Sequence, residues 1–185
     1  RAGTGIFECA NEHMTLGTDI DWLEDLANET GQPVIFNLSQ TDFSPSLWSE
    51  VLQKLDDAAN RGAPIYAQAA GRSIGIVMGF QATAHPFALH PTWLTMEELT
   101  WDEKLEQLRR PDVRAALLSE SPQSENMFEL FVTQSFTKMY ELAKTGYEPS
   151  LDENLATRAA ALGISPAELA YDTMLERDGT NFLYF

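Results

Sequence analysis

Cysteine and long hydrophobic runs are nearly absent from this 185-residue chain. Cys9 is the single cysteine, so no disulfide can form within the chain, which is typical of a reducing compartment. We therefore predict a cytoplasmic protein. Cys9 lies in an apolar run, where a free cysteine is typically an inert core residue. No apolar run approaches the roughly 20 residues that cross a bilayer, which argues against a membrane protein.

Basic residues are also scarce. The chain has 12 Lys and Arg against 28 Asp and Glu, a formal net charge of −16. Binding to a phosphate backbone requires clustered cations, so this balance excludes nucleic acid as a partner. It equally argues against an anionic membrane surface. What is present is an ordinary globular composition, 44% hydrophobic, in a chain long enough for one good core.

Three short apolar runs recur at nearly constant spacing in the first third of the chain. They cover residues 5–10, 33–37 and 63–68, and each carries a polar residue near its carboxyl end. The amphipathic stretches between them predict helices over 20–30, with Asp19 as N-cap, and over 45–61, with Ser44 as N-cap. This alternation predicts a βαβαβ segment over residues 1–69. Its parallel strands are expected to be buried on both faces.

The alternation stops after Gln68. Residues 70–150 predict a mainly helical insertion, with helices at 100–109, 111–120 and 126–144. Gly71, Gly75 and Gly79 are spaced by four, so in a helix they would share one face and allow close backbone approach. The spacing does not match a phosphate-binding loop or a dinucleotide fingerprint.

Residues 151–185 predict two helices that return to a fourth strand. Asp152 is a plausible N-cap for a helix ending at Gly163, and residues 165–168 form a capping box with proline in the first helical position. An apolar strand over 180–185 follows. Such an exposed strand is rare at the end of a natural domain, so we expect a piece of a longer protein. Apolar edges at Ile6 and at 182–185 predict self-association.

Several segments carry a resemblance to a known family. They are 33–40 (PVIFNLSQ), the helix that contains Trp48, 67–72 (AQAAGR), 79–83 (GFQAT), 85–87 (HPF) and 165–172 (SPAELAYD). In order and spacing they resemble the N-acyl-D-amino-acid deacylases, which are D-aminoacylase-like members of the amidohydrolase superfamily. The resemblance implies a (β/α)₈ barrel and zinc-dependent hydrolysis of the amide of N-acylated amino acids. A full barrel needs about 250 residues. This chain would therefore be an α/β, partial (β/α)₈-barrel segment with about four parallel strands and a helical insertion.

Carried over residue by residue, the resemblance leaves the catalytic positions empty. No His-x-His pair occurs, and the family's catalytic aspartate would lie beyond Phe185. The places of two further metal-binding histidines hold Ala10 and Asn11, and Asn37 to Ser39; His13 lies three residues beyond the first. We therefore predict no catalytic residue and no metal ligand here, with zinc bound in the intact parent and not by this fragment.

Three strand-end residues are candidate substrate-binding groups. Glu8, Asn37 and Gln68 end predicted parallel strands, and function in barrels collects at that edge. The structural alternative is that these side chains satisfy buried backbone groups or one another.

Arg72, His85 and His90 complete the candidate set. Arg72 follows the third strand in a glycine-flanked loop, where an arginine suits the free carboxylate of an N-acyl amino acid. Its alternative is an ion pair with one of the many acidic side chains. His85 and His90 each precede a proline, which favours extended backbone, so they do not share a helical face. They suit loop packing or a substrate lid better than zinc.

Two classes of function follow. The first is a fragment of a metal-dependent amidohydrolase that acts on an N-acyl-D-amino acid or a related C–N bond, with a small-molecule substrate. The second is a non-catalytic α/β ligand-binding or assembly module of a diverged parent. A free-standing flavodoxin-like domain is disfavoured by the missing phosphate loop and the long interruption after the third strand.

Overall fold

The computed structural model describes residues 3–10, 16–142 and 148–185. The chain forms two compact units, unit 1 within residues 1–73 and unit 2 within residues 74–185. The longest helix among these residues has 15 residues. Over the described ranges, none of the helices is both long and apolar enough to cross a bilayer.

Unit 1 is a βαβαβ segment, as the spacing of the apolar runs predicts. Its elements are β1 (Phe7–Cys9), α1 (Leu16–Thr30), β2 (Val34–Asn37), α2 (Leu47–Asn60) and β3 (Ile65–Gln68). The three strands form a parallel sheet in the order β1-β2-β3. The α/β class and the parallel pairing are therefore confirmed.

The sheet of unit 1 is covered on one face. The core contains alternate residues of β2, Ile65 of β3 and residues of both helices: Val34, Phe36, Ile65, Leu16, Ile20, Leu23, Ala27, Val51 and Ala58. On the opposite face Tyr66 is 56% exposed and Ile35 is half-buried. Burial of both faces, expected from the sequence, is wrong for the described part of unit 1. Consecutive right-handed crossovers in the order 1-2-3 place both helices on one side.

The helix starts in unit 1 differ from those expected. α1 begins at Leu16, so Asp19 lies in its first turn instead of at the N-cap. α2 begins at Leu47, and Ser46 takes the N-cap position expected for Ser44. The cap residues were therefore misplaced although both helices are present.

Unit 2 contains six helices and three two-residue strands among its described residues. The elements are β4 (Val77–Met78), α3 (Pro91–Leu94), α4 (Trp101–Leu108), α5 (Pro111–Ser119), α6 (Met127–Gln134), β5 (Tyr140–Glu141), α7 (Leu155–Leu162), α8 (Pro166–Gly179) and β6 (Leu183–Tyr184). Short 3₁₀ turns occupy Phe136–Lys138 and Leu151–Glu153. The predicted helix 126–144 therefore stops at Gln134, and its last two residues lie outside the described ones. The backbone leaves the helical region at Ser135.

The fourth predicted parallel strand is wrong. β6 lies in a separate sheet of order β4-β6-β5 and runs antiparallel to both neighbours. Leu183 is fully buried at its centre, so the exposed edge expected at 182–185 does not exist. Strand direction depends on partners distant in sequence, which an apolar run does not specify.

Local capping patterns in unit 2 follow the sequence more closely. The capping box of α8 is present: Glu168 N–H donates to Ser165 Oγ at 3.1 Å, and Ser165 N–H donates to Glu168 Oε2 at 2.9 Å. Asp152, in contrast, lies in a 3₁₀ turn, and α7 is capped by Asn154, whose Oδ1 accepts from Thr157 N–H at 2.8 Å.

The glycines at 71, 75 and 79 are not in a helix, yet two of them permit close approach. A Cβ at Gly75 would lie 2.0 Å from the ring of Tyr184, and one at Gly79 would lie 2.6 Å from the ring of Phe182. The small residues let the aromatic rings around β6 lie against the backbone near β4.

Candidate functional site

At the carboxyl edge of the unit 1 sheet, Asn37 and Gln68 lie side by side as predicted, whereas Glu8 does not end its strand and is the middle residue of β1. Asn37 and Gln68 are paired in register as the last residues of β2 and β3, and Glu8 lies opposite Ile35 on the neighbouring strand. Because side chains alternate along a strand, Glu8, Asn37 and Gln68 share the face that the helices leave open. All three are exposed.

This carboxyl edge, defined by Glu8, Asn37 and Gln68, offers hydrogen bonds from one carboxylate and two amides. The amides donate and accept, and the ionised carboxylate accepts. Arg72 lies in the loop after β3, exposed, and its guanidinium donates to the Ser73 carbonyl at 3.0 Å. The edge can therefore hydrogen-bond a small polar ligand, whereas a donor set of one carboxylate and two amides does not suit zinc, which prefers imidazole and thiolate.

His85 lies inside an aromatic core of unit 2. It is 1% exposed, and its ring makes edge contacts with Trp93 at 4.1 Å and Phe80 at 5.3 Å between centroids. Its Nδ1 accepts the backbone N–H of Phe87 at 3.2 Å. Burial lowers the pKa of His85 to about 3, and the positive charges of His90 and Lys104 act in the same direction. His85 is thus a neutral packing and hydrogen-bonding group at physiological pH.

His90 is also buried, at 5% exposure. Its Nδ1 donates to the Leu117 carbonyl at 3.0 Å, so Nε2 carries the lone pair. That Nε2 is buried without a hydrogen-bond partner in the described part of the chain. Burial lowers the pKa of His90, opposed by the Leu117 carbonyl and the Glu120 carboxylate. The structure therefore places both histidines in the core of unit 2, whereas the carboxyl edge belongs to unit 1.

Above this core, unit 2 has a cleft that sequence reasoning missed. Its volume is about 500 Å³, which lies in the range of small-molecule sites. We call it the aromatic cleft; its lining residues are Phe80, Gln81, Ala82, Thr83, Trp93, Glu97, Trp101 and Lys104. Phe80 and Trp93 are buried and stack at 5.7 Å between centroids, so they form an apolar floor beneath polar residues.

Lys104 is held at the wall of the aromatic cleft by two contacts. Its Nζ donates to the Glu97 backbone carbonyl at 2.9 Å and lies 5.6 Å from the Trp93 ring centroid. The second contact is a cation–π interaction. An ammonium fixed in this way keeps donor capacity for a bound anion.

The first turn of α4 positions Trp101, the second tryptophan that lines the aromatic cleft. Thr100 and Glu103 form a capping box at its N-terminus, which fixes Trp101 as the first helical residue. The ring then lies against Gly179, where a Cβ would approach Trp101 Cζ2 to 2.5 Å. Gly179 is therefore needed both for its positive φ of 74° and for space beside the cleft wall.

The missed residues had a partial signal in the sequence. The segment 79–83 belongs to the resemblance, and the stretch from 85 to 93 is rich in proline and aromatic residues. Trp101 and Lys104 are one helical turn apart, so they share a face of α4. Nothing in the spacing places that face beside Phe80 and Trp93, which come from earlier segments.

The sequence predicts no metal ligand in this chain, of which the structure describes residues 3–10, 16–142 and 148–185. No group of three or more His, Cys, Asp and Glu side chains suited to holding a metal ion occurs there. His13, the displaced histidine considered from the sequence, lies outside these residues. Compared with known proteins, the chain matches no family model, no curated protein and no solved structure.

Proposed function

We propose that this chain is the central, partial (β/α)₈-barrel segment of a cytoplasmic amidohydrolase that hydrolyses the amide of N-acyl-D-amino acids or a related C–N bond. The observation that carries the proposal is the carboxyl edge of the parallel sheet, where Glu8, Asn37 and Gln68 share one open face. Function in parallel α/β folds collects at that edge. The family resemblance supplies the reaction.

The roles assigned to the edge follow from its donors and acceptors. The Glu8 carboxylate would accept the N–H of the substrate amide, and the Asn37 and Gln68 amides would donate to its carbonyl. Arg72 would bind the free carboxylate as a bidentate partner. The sequence leaves two roles open for His85 and His90, loop packing and a substrate lid. Because both histidines are buried, loop packing is the favoured role.

In this proposal zinc and the catalytic carboxylate belong to residues outside this chain. The carboxyl edge does not offer a zinc donor set, so no chemical step is assigned to it. The segment contributes substrate-binding groups to a site completed elsewhere in the longer protein.

The proposal is tested on the intact, zinc-loaded longer protein with a panel of N-acyl-D-amino acids. Turnover is expected, and the variants Asn37→Ala and Gln68→Ala should raise KM several-fold while kcat changes less. Glu8→Gln should raise KM in the same way, and Glu50→Gln, at an exposed carboxylate on α2, is its matched control. Absence of turnover across a broad amide panel would remove the reaction assignment.

A second candidate is a non-catalytic ligand-binding module, and the aromatic cleft favours it. A cavity of about 500 Å³ with a buried aromatic floor can hold a small molecule without any catalytic group. The two candidates differ in the sequence before Arg1: the hydrolase requires a strand ending in His-x-His there, and the binding module does not.

A further inference from the structure

The aromatic cleft carries two opposite charges that are not paired with each other. Lys104 and the exposed Glu97 are both lining residues of the cleft, and the Lys104 ammonium contacts the backbone carbonyl of Glu97 instead of its side chain. Over the described part of unit 2, neither side chain takes part in an ion pair. Both charges are therefore available to a ligand that enters between them.

The floor of the cleft is apolar and aromatic. Phe80 and Trp93 are buried, and the Trp101 ring forms part of the wall. Gln81 and Thr83 add neutral hydrogen-bonding groups at the rim. A ligand that uses all of these groups carries a carboxylate, an ammonium and a large apolar substituent.

We propose that the aromatic cleft binds a free α-amino acid with a large apolar side chain. The carboxylate meets Lys104, the ammonium meets Glu97, and the side chain lies against the aromatic side chains that line the cleft, Trp101 among them. This inference goes beyond the proposed hydrolase function and does not depend on it, because it concerns the 185-residue chain alone.

Ligands with only one of these charges use the cleft less well. A simple cation would compete with Lys104, whose ammonium already lies over the Trp93 ring. A simple anion would leave the Glu97 carboxylate facing it unpaired. A polyphosphate would meet one lysine beside an acidic side chain, in a chain with a net charge of −16.

The test uses phenylalanine, each enantiomer titrated separately, together with two truncated analogues. 3-Phenylpropionate lacks the ammonium, and phenethylamine lacks the carboxylate. Binding to the 185-residue chain is followed through the indole N–H resonances, assigned by Trp→Phe variants. Those of Trp93 and Trp101 should shift, whereas those of Trp22 and Trp48, which do not line the cleft, should stay in place.

We expect at least one enantiomer of phenylalanine to bind about fivefold or more tightly than either analogue. Lys104→Met should weaken phenylalanine and 3-phenylpropionate about tenfold and spare phenethylamine. Glu97→Gln should weaken phenylalanine and phenethylamine about threefold, a smaller change because this carboxylate is exposed, and spare 3-phenylpropionate. Lys138→Met and Glu98→Gln are the matched charge controls and should change nothing.

Three results would overturn the inference. The first is no shift of the Trp93 and Trp101 resonances at about 10 mM phenylalanine, a concentration that detects even millimolar affinity. The second is an analogue that binds the unmodified chain as tightly as phenylalanine. The third is unchanged affinity in both cleft variants. If a variant loses its dispersed indole resonances and so fails to fold, the comparison of analogues on the unmodified chain decides alone.

Discussion

Lowering the pH from about 7.5 to about 5 should destabilise unit 2 by about 2 kcal/mol through His85 alone. This side chain is 1% exposed and packs between aromatic rings, so its folded form is neutral. The unfolded chain has no such constraint and binds a proton near the ordinary pKa of 6.5.

The sign of the effect follows from proton uptake. Between the unfolded pKa of 6.5 and the folded pKa of about 3, the unfolded state holds a proton that the folded state lacks. Stability is therefore complete above pH 6.5 and falls by about 1.4 kcal/mol for each pH unit below it. The lowered pKa of His90 acts in the same direction. Carboxylates with lowered pKa, such as Glu103 and Glu168, lose their contribution only as pH falls below 4.5.

The assay is urea unfolding followed by tryptophan fluorescence in a Trp22→Phe, Trp48→Phe background, which leaves both remaining indoles in unit 2. The comparison variant is His85→Asn, whose side-chain oxygen can still accept the Phe87 N–H but does not titrate. It will be less stable at pH 7.5 because it fills less volume. The stability difference from the unmodified residue should then shrink by about 2 kcal/mol on going to pH 5.

The reasoning fails if both proteins lose the same stability over this pH range, because His85 would then not be held neutral. A further variant, His90→Asn, keeps a donor for the Leu117 carbonyl. It should remove part of the remaining dependence of the free energy of unfolding on pH. The two variants therefore distinguish the contributions of the two histidines.

Three further outcomes are expected. Gly179→Ala should lower the free energy of unfolding by about 3 kcal/mol, because the new Cβ adds a clash with Trp101 to the backbone strain. Gly163→Ala, also at positive φ but with open space, should lower it by about 1 kcal/mol. Thermal unfolding measures both, and equal losses would contradict the packing argument. Arg158→Met should lower the free energy of unfolding by about 3 kcal/mol, because Arg158 contacts the Glu141 carboxylate at 3.2 Å and Glu141 is only 2% exposed. A loss below about 0.5 kcal/mol in urea unfolding would refute this prediction. The exposed apolar side chains on the open face of the unit 1 sheet should cause self-association at micromolar concentration, and a strictly monomeric light-scattering signal would oppose this.

Unit 1 was predictable because its information is local. Each of the first two apolar runs is followed by its helix, and Gly31 and Gly62 end these helices at positive φ. The strand ends at Asn37 and Gln68 then pair in register, as consecutive parallel strands require. The open face was not predictable, because the apolar runs look the same whether one or two layers cover them.

Unit 2 was less predictable because its contacts join distant segments. The apolar pattern after Gln134 continues a helix by periodicity, yet Met139 and Tyr140 are buried outside any helix, and Tyr140 pairs with β6 as a residue of β5. The aromatic cleft likewise joins Phe80 from the loop after β4 to Lys104 on α4. The capping box at Ser165 is the exception, since it involves residues only three apart.

The antiparallel sheet of unit 2 also bears on the order in which the molecule folds. Its middle strand pairs Leu183 with Met78, across roughly one hundred residues of sequence, whereas unit 1 pairs strands about thirty residues apart. During synthesis, unit 1 has all its partners long before β6 emerges from the ribosome. The backbone groups of β4 and β5 that pair with β6 stay unpaired until β6 has been synthesised and lies between them. We therefore expect unit 1 to acquire protection from hydrogen exchange first, and unit 2 to be the slower and more aggregation-exposed half of the chain.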